Sequence, residues 1–369
     1  MTIGILREPE GENRVSALPE IVSQLIKIKA NVLVEQGAGV RAFASDADYI
    51  SVGAQVADRN QVISASDMLL SIHQPTDQLT NKMLLGVYQP LFNYQQIAQW
   101  AKGGNAVFSI DIIPRTTRAQ AMDVLSSQAN IAGYKAVLLA AASYSRYFPM
   151  FMTAAGSIAP AKMLILGAGV AGLQAIATAR RLGAVVEVFD TRPAVKEEVQ
   201  SLGAKFVEVE GAADASQAGG YAVEQSEEYK QRQQQRIAES VAKADIIITT
   251  AQIPGKKAPI LLTDAMIHSM RNGSVIIDLA AATGGNTNFT KNNESVMVSG
   301  VQIIGNSNLA STMPSDASKM YGKNILNFLK LIINAEGQIH FNFDDDLVKE
   351  TCVAHDGQVS NERVKQLLA

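Results

Sequence analysis

A glycine-rich turn opens the second half of the chain. Residues 163–166 are apolar, as in a buried strand, and lead into Gly167-Ala168-Gly169-Val170-Ala171-Gly172, after which a helical pattern runs through Arg181. In this arrangement the first glycine permits a tight turn, the second lets the backbone approach a pyrophosphate, and the third allows close packing of helix on strand. Because the amides at a helix N-terminus stabilise phosphate charge, the segment predicts a dinucleotide site.

A carboxylate follows the next predicted strand. Residues 184–189 have strand character and are followed directly by Asp190. A carboxylate at this distance from the glycine turn is placed to bind the hydroxyls of an adenosine ribose. A 2′-phosphate there would bring two anions together, although Arg192 could in principle pair with it. The pattern therefore favours NAD(H) over NADP(H).

A second polar segment covers residues 114–128. On a helix, Gln120 and Asp123 would share one face, with Ser126 one turn further, and a preceding threonine could cap that helix. Such a stripe is typical of a solvent-exposed face, and its spacing does not require a ligand. The pattern alone leaves the two interpretations open.

A long polar interval covers residues 211–235, well beyond a typical connection of about 4–6 residues. It contains flexible glycines and an aromatic side chain, Gly220 and Tyr221, that could cover a bound ring. A disordered polar loop followed by a helix from about Ser226 accounts for the composition equally well. The interval is thus either a closing loop or a surface insertion.

The alternation of strands and helices predicts an α/β fold with two lobes, since 369 residues exceed one usual core. The first lobe is expected over residues 1–147 and the nucleotide-binding lobe over 148–313. A long helix is expected over 118–147, and another over 314–333 that could bring the segment 314–369 back to the first lobe. Predicted strands cover residues 3–6, 32–35, 68–72, 87–92, 106–110, 163–166, 185–189, 206–209, 245–249, 274–278 and 301–304.

Composition disfavours several other classes of protein. A net charge of -3 gives no basic surface for nucleic acid, and the four histidines show no metal-binding spacing. The single Cys352 cannot form an internal disulfide. The N-terminus does not resemble a signal peptide, and no apolar run reaches the roughly 18 residues of a membrane span. The acidic residues Asp344-Asp345-Asp346 are expected to form a solvated tail.

Many short motifs, in order along nearly the whole chain, resemble the NAD(H)-binding component of proton-translocating NAD(P) transhydrogenase, which is the first portion of its alpha subunit. That family is related to alanine dehydrogenase. The motifs are Arg7-Glu8, Asn13-Arg14-Val15, Pro114-Arg115, Arg118-Ala119-Gln120, Ala129-Asn130-Ile131-Ala132-Gly133-Tyr134, Asp190-Thr191-Arg192-Pro193, Thr249-Thr250-Ala251-Gln252-Ile253-Pro254-Gly255-Lys256 and Gly284-Gly285-Asn286.

The resemblance implies two Rossmann-like lobes with parallel sheets, joined by long helices, with NAD in the cleft between them. It implies a homodimer that docks on an NADP(H)-binding component and a membrane-spanning component, at the cytoplasmic or equivalent face of an inner or plasma membrane. Around the nicotinamide it would place Arg115, Gln120, Asp123 and Ser126, with Gln120, Arg115 and Asp123 as the catalytic set. At the adenosine end it would place Val170, Asp190, Thr191 and Arg192, with Gly220 and Tyr221 on a closing loop and Ala251 in the cleft.

Two other functions use the same nucleotide fold. Alanine dehydrogenase has a lysine in the segment matching Ser71-Ile72-His73-Gln74-Pro75 and a histidine in the segment matching Tyr88-Gln89-Pro90. This chain has His73 and Gln89 there, although the corresponding Arg14 is present, so the resemblance favours the transhydrogenase. A non-catalytic NAD sensor would bind the nucleotide without hydride transfer.

Overall fold

The computed structural model of the chain describes residues 1–209, 226–334 and 336–368. Its strands, in chain order, are β1 (Thr2–Ile5), β2 (Asn31–Glu35), β3 (Gln55–Ala57), β4 (Met68–Leu70), β5 (Met83–Gly86), β6 (Ala106–Ser109), β7 (Phe151–Thr153), β8 (Gly156–Ile158), β9 (Lys162–Leu166), β10 (Val185–Phe189), β11 (Lys205–Phe206), β12 (Ile246–Thr249), β13 (Val275–Asp278), β14 (Glu294–Val298), β15 (Val301–Gly305), β16 (Cys352–His355) and β17 (Gln358–Val359).

The helices follow the predicted amphipathic segments closely. In chain order they are α1 (Pro19–Lys27), α2 (Asp46–Ser51), α3 (Arg59–Ala65), α4 (Tyr94–Lys102), α5 (Val124–Ser143), α6 (Val170–Arg181), α7 (Lys196–Ser201), α8 (Glu227–Val241), α9 (Asp264–His268), α10 (Pro314–Ile332), α11 (Asp346–Thr351) and α12 (Glu362–Lys365).

The chain forms two compact units, residues 1–128 with 310–369 and residues 129–309. The sequence predicted the division at 147/148 and 313/314. The first limit differs because α5 begins in unit 1, whereas its later residues Ala136, Val137 and Ala140 belong to the core of unit 2. Gly133 on the same helix lies against the Ala171 carbonyl of α6, where a Cβ atom would have no room.

Unit 1 contains a sheet in the order β17-β16-β6-β5-β4-β1-β2-β3, parallel from β6 to β3. The antiparallel edge comes from the C-terminal strands β16 and β17, which sequence patterns did not predict. A strand predicted over 87–92 is wrong. The chain pairs over Met83–Gly86 instead, because Pro90 lacks an amide hydrogen and Gln89 adopts a φ of +48°.

Unit 2 contains a sheet in the order β11-β10-β9-β12-β13-β15-β14. Every pair is parallel except the β14–β15 hairpin. The sequence predicted six strands and missed β14, because its side chains are mostly exposed or half-buried at the sheet edge. A separate two-stranded hairpin, β7–β8, precedes the sheet, and all six of its residues are exposed.

Candidate functional site

The glycine turn of unit 2 joins β9 to α6. Gly167 has a φ of +107°, a conformation that other residues rarely adopt. A Cβ atom on Gly172 would lie 1.9 Å from the Gly167 carbonyl oxygen, so α6 approaches the strand end as closely as glycine permits. A Cβ atom on Gly169 would meet no atom within 4 Å. The turn thus leaves open space at the N-terminus of the 12-residue helix, and a pyrophosphate fits this geometry.

Asp190 follows β10 and is only 9% exposed. Its Oδ2 atom accepts a hydrogen bond of 2.7 Å from the Ala168 amide, inside the glycine turn. The Arg192 guanidinium donates to both carboxylate oxygens, at 2.9 Å from Nε and 2.7 Å from Nη2, and the Arg192 amide donates at 2.8 Å. The contact with Asp190 raises the pKa of Arg192. Arg192 therefore neutralises Asp190, a pairing that the sequence did not predict.

The other predicted residues of unit 2 flank this turn along the chain. Val170 is exposed in the first turn of α6, and Thr191 is half-buried between Asp190 and Arg192. Ala251 follows β12 and is clamped by Asn286, whose Oδ1 accepts from the Ala251 amide at 3.2 Å and whose Nδ2 donates to the Ala251 carbonyl at 2.9 Å. Gly220 and Tyr221 lie outside the described residues.

Unit 1 carries the polar segment with Arg115, Gln120, Asp123 and Ser126. Arg115 and Gln120 are exposed, whereas Asp123 and Ser126 are half-buried. The predicted single helical face is wrong, because the chain forms a 3₁₀ helix over Thr117–Met122 and becomes extended at Asp123 before α5 begins. Asp123, rather than a threonine, caps α5: its carboxylate accepts from the Ser126 amide at 2.9 Å and from the Ser126 hydroxyl at 2.6 Å.

Residues far along the chain hold this segment in place. Asp345 accepts a 2.6 Å bond from the Arg118 guanidinium and also caps α11, so the prediction of a solvated acidic tail is wrong for this residue. The contact with Arg118 also lowers the pKa of Asp345. Asn324 and Asn327 on α10 both donate to the Ala121 carbonyl. Sequence reasoning missed these residues because no local spacing links them to the segment.

A buried polar cluster lies at the start of unit 1. Both carboxylate oxygens of Glu12 accept from Arg14, at 2.8 Å from Nε and 2.6 Å from Nη2, and His73 Nε2 lies 2.8 Å from Glu12 Oε2. The Arg14 guanidinium also donates to Gln128 at 2.8 Å. Glu8 accepts from the amides of residues 72 and 73, yet its burial raises its pKa to about 7. Arg14, the one substrate-handling residue shared with alanine dehydrogenase, is thus paired with Glu12.

The parallel sheets, the glycine turn and the carboxylate after the next strand define a Rossmann-type dinucleotide-binding protein. Two family profiles match the chain: "Alanine dehydrogenase/PNT, N-terminal domain" over residues 4–132 and "Alanine dehydrogenase/PNT, C-terminal domain" over residues 136–362. The chain therefore belongs to the alanine dehydrogenase/PNT family.

Individual relatives narrow the comparison. The first portion of an NAD(P) transhydrogenase subunit alpha from Rickettsia prowazekii, a separate chain there, is 43% identical over 379 residues, covering 99% of this chain and 98% of the relative. The crystal structure of transhydrogenase from Sinorhizobium meliloti has a TM-score of 0.88 and 42% identity, covering 97% of this chain and 100% of that one. An L-alanine dehydrogenase structure, with a TM-score of 0.82 and 22% identity over 100% and 99% of the two chains, shows the shared fold alone.

These similarities confirm three of the predictions: the parallel-dominated α/β fold, the family, and NAD(H) as the cofactor. The chain is a homologue of transhydrogenase alpha subunits. Among the described residues, no helix is long and apolar enough to cross a membrane.

Proposed function

We propose that this chain is the NAD(H)-binding component of a proton-translocating transhydrogenase of the Re/Si-specific type, active only with its partner components. The observation that carries the proposal is the match, over nearly the full length of both chains, to a relative named as a portion of NAD(P) transhydrogenase subunit alpha. The partners are an NADP(H)-binding component and a membrane-spanning component. The chain acts at the cytoplasmic or equivalent face of the membrane, to which those partners attach it.

The residues of unit 2 hold the adenosine and pyrophosphate end of the nucleotide. The open space beside Gly169 admits the pyrophosphate to the amides of α6, with Gly167 and Gly172 shaping the turn. Asp190, Thr191 and Arg192 bind the adenosine ribose, with Val170 beside them. Because both oxygens of Asp190 already accept from Ala168 and Arg192, a ribose hydroxyl must share or displace one of these bonds.

The residues of unit 1 hold the nicotinamide end. Gln120 keeps the ring in register with the partner's nicotinamide, while Arg115 and Asp123 bind the carboxamide and ribose and Ser126 supports Asp123. Ala251 lines the site, and Gly220 and Tyr221, which lie outside the described residues, close over it. NADH, when bound, supplies a hydride directly to NADP⁺ on the partner. No proton moves at either nicotinamide, so the chain's own groups need only position the ring and exclude water.

The protein works as a homodimer, and the β7–β8 hairpin supplies the surface. Met152 on this hairpin is 73% exposed, and the ring of Phe151 stacks on Tyr147 at 4.8 Å. An isolated two-stranded sheet is marginally stable in water, and its edges are unpaired among the described residues. Residues 147–161 carry no charge, so two copies can meet about a two-fold axis without like-charge repulsion. This favours a second copy over a charged partner.

The homodimer predicts a specific sensitivity to charge at the hairpin. Met152→Glu should convert dimer to monomer in sedimentation equilibrium, since it sets two carboxylates against each other at the two-fold contact. Met297→Glu is the matched control, because Met297 is 66% exposed on the edge strand β14. A Met152→Glu protein that still sediments as a dimer would contradict the assignment of this surface.

The reaction is tested first against the alanine dehydrogenase alternative. The purified chain is given NAD⁺ and L-alanine, and the absorbance of the reduced ring is followed while NADH binding is measured separately. We expect tight NADH binding and no turnover, because His73 and Gln89 replace the lysine and histidine of the dehydrogenase. Rapid turnover would overturn the proposal, and the sensor alternative is then separated by hydride transfer to a partner.

A further inference from the structure

A break in the helix divides the residues proposed to hold the nicotinamide. Gln120 lies on the 3₁₀ helix Thr117–Met122, before the extended residue Asp123, whereas Ser126 lies in the first turn of α5. The Asp123 carboxylate fixes Ser126, but both lie at or beyond the break. The position of Gln120 relative to Asp123 therefore depends on whatever joins the two helices across the break.

Asn324 on α10 makes that connection. Its Nδ2 atom donates to the Ala121 carbonyl at 2.9 Å, before the break, and its Oδ1 atom accepts from the Ser127 hydroxyl at 2.7 Å, after it. The side chain is buried, since the residue is only 6% exposed. A carboxamide is suited to this task because one end donates and the other accepts. Both ends of the group are thus used to span Asp123.

The helix that carries Asn324 is itself held firmly. Tyr321, Ile325 and Phe328 of α10 belong to the hydrophobic core of unit 1. Ala119 and Met122, on either side of Gln120 and Ala121, belong to the same core. The 3₁₀ helix is therefore positioned by apolar packing on one side and by the Asn324 hydrogen bond at its C-terminal end.

We infer that Asn324 is a positioning residue for hydride transfer, holding Gln120 in register with Asp123 and Ser126. It acts through the Ala121 carbonyl and the Ser127 hydroxyl and itself contacts no substrate. The inference rests on the proposed function. Displacing reacting groups by about 1 Å can lower a rate on the order of 100-fold, so a hydrogen bond at this break has a kinetic consequence larger than its share of stability.

The chain offers a matched pair of substitutions. Asn324→Asp replaces the donating amide with a carboxylate oxygen that faces the Ala121 carbonyl, which removes one hydrogen bond and adds repulsion. Asn327 donates to the same carbonyl at 3.0 Å from an exposed position on the same helix. Asn327→Asp adds the same charge, but water can replace the lost bond. The two variants differ in whether the break is bridged.

Two quantities are measured for each variant: the dissociation constant of NADH and the single-turnover rate of hydride transfer to NADP⁺ on a transhydrogenase NADP(H)-binding component. For Asn324→Asp we expect the rate to fall at least tenfold while the NADH dissociation constant stays within about threefold of wild type. Asn327→Asp should match wild type in both. Equal transfer rates in the two variants, or a loss of affinity as large as the loss of rate, would overturn the inference.

A milder variant guards against misfolding. Ser127→Ala removes only the second bond of the bridge and should lower the transfer rate about threefold with unchanged NADH affinity. If Asn324→Asp does not fold, the Ser127→Ala rate decides, and a wild-type rate would overturn the inference. A wild-type chain that transfers no hydride would instead contradict the proposed function, so the two failures are distinguishable.

Discussion

The glycine turn of unit 2 and the polar segment of unit 1 are held in place in different ways. The turn is supported from within residues 162–192, by Gly172 packed on Gly167 and by Asp190 bound to the Ala168 amide. The polar segment depends on Asn324 and Asp345, about 200 positions further along the chain. A site built from neighbours in sequence is readable as a motif, whereas a site held by distant residues is not.

The largest expected effect tests whether the turn is as tightly built as its glycines indicate. Gly172→Ala places a Cβ atom 1.9 Å from a backbone oxygen, so we expect a loss of about 3 kcal/mol in the free energy of unfolding and no detectable NADH binding. Urea unfolding and NADH fluorescence titration measure the two quantities.

Gly169→Ala is the control at the same turn. Its φ of −77° suits alanine and its Cβ atom would meet open space, so unfolding should be unchanged within about 0.5 kcal/mol. The NADH dissociation constant should nevertheless rise about tenfold, because the methyl group would occupy the space for the pyrophosphate. Unchanged NADH affinity in Gly169→Ala would remove the assignment of that space.

The next prediction concerns a buried carboxylate of unit 1. Burial raises the pKa of Glu8 to about 7, above an ordinary value near 4.5 in the unfolded chain. The folded protein therefore binds more protons between these values, and stability present below pH 4.5 is lost as the pH rises through 7, by up to about 3 kcal/mol. Glu8→Gln should flatten this dependence in unfolding measured from pH 4.5 to 8.

The exposed neighbour Glu10 provides the comparison for that experiment. Glu10→Gln makes the same chemical change two residues away and should leave the pH profile of wild type intact. Glu8→Gln also loses one acceptor for the amides of residues 72 and 73, so the slope with pH, not the absolute stability, is the informative quantity. An equal slope in both variants would contradict the account of Glu8.

The smallest expected effect sharpens the role of Asp190. If this carboxylate rejects a 2′-phosphate, Asp190→Ala should narrow the gap between NADH and NADPH affinities by about tenfold, because Arg192 then faces the ribose without its partner. Glu187→Ala, on the same strand and with the same change of charge, should leave the gap as it is. An unchanged gap in Asp190→Ala would refute the role.

Much of the fold followed from pattern. The turn at Gly167, the carboxylate at Asp190 and the helices Tyr94–Lys102 and Pro314–Ile332 were predicted almost residue by residue, because periodicity and turn chemistry are local. The edge strand Glu294–Val298 was missed because an exposed strand lacks a buried apolar run.

The candidate site was predictable only to a limited extent. Asp123 was identified, but as one member of a helical face rather than as the cap of α5, since nothing in the spacing indicates a 3₁₀ helix before it. The Arg192–Asp190 pair was missed because a side chain's partner depends on rotamers that sequence does not specify. The contacts of Asn324 and Asp345 arise from tertiary packing of the returning C-terminal segment.

The central claim is tested most directly by hydride transfer in a single turnover. The chain is loaded with NADH, mixed rapidly with an NADP⁺-loaded transhydrogenase NADP(H)-binding component, and analysed for NADPH. The account predicts NADPH in an amount matching the bound NADH, with no dependence on added alanine. Tight NADH binding without any NADPH, under conditions in which the partner accepts hydride from a known transhydrogenase subunit, would contradict it.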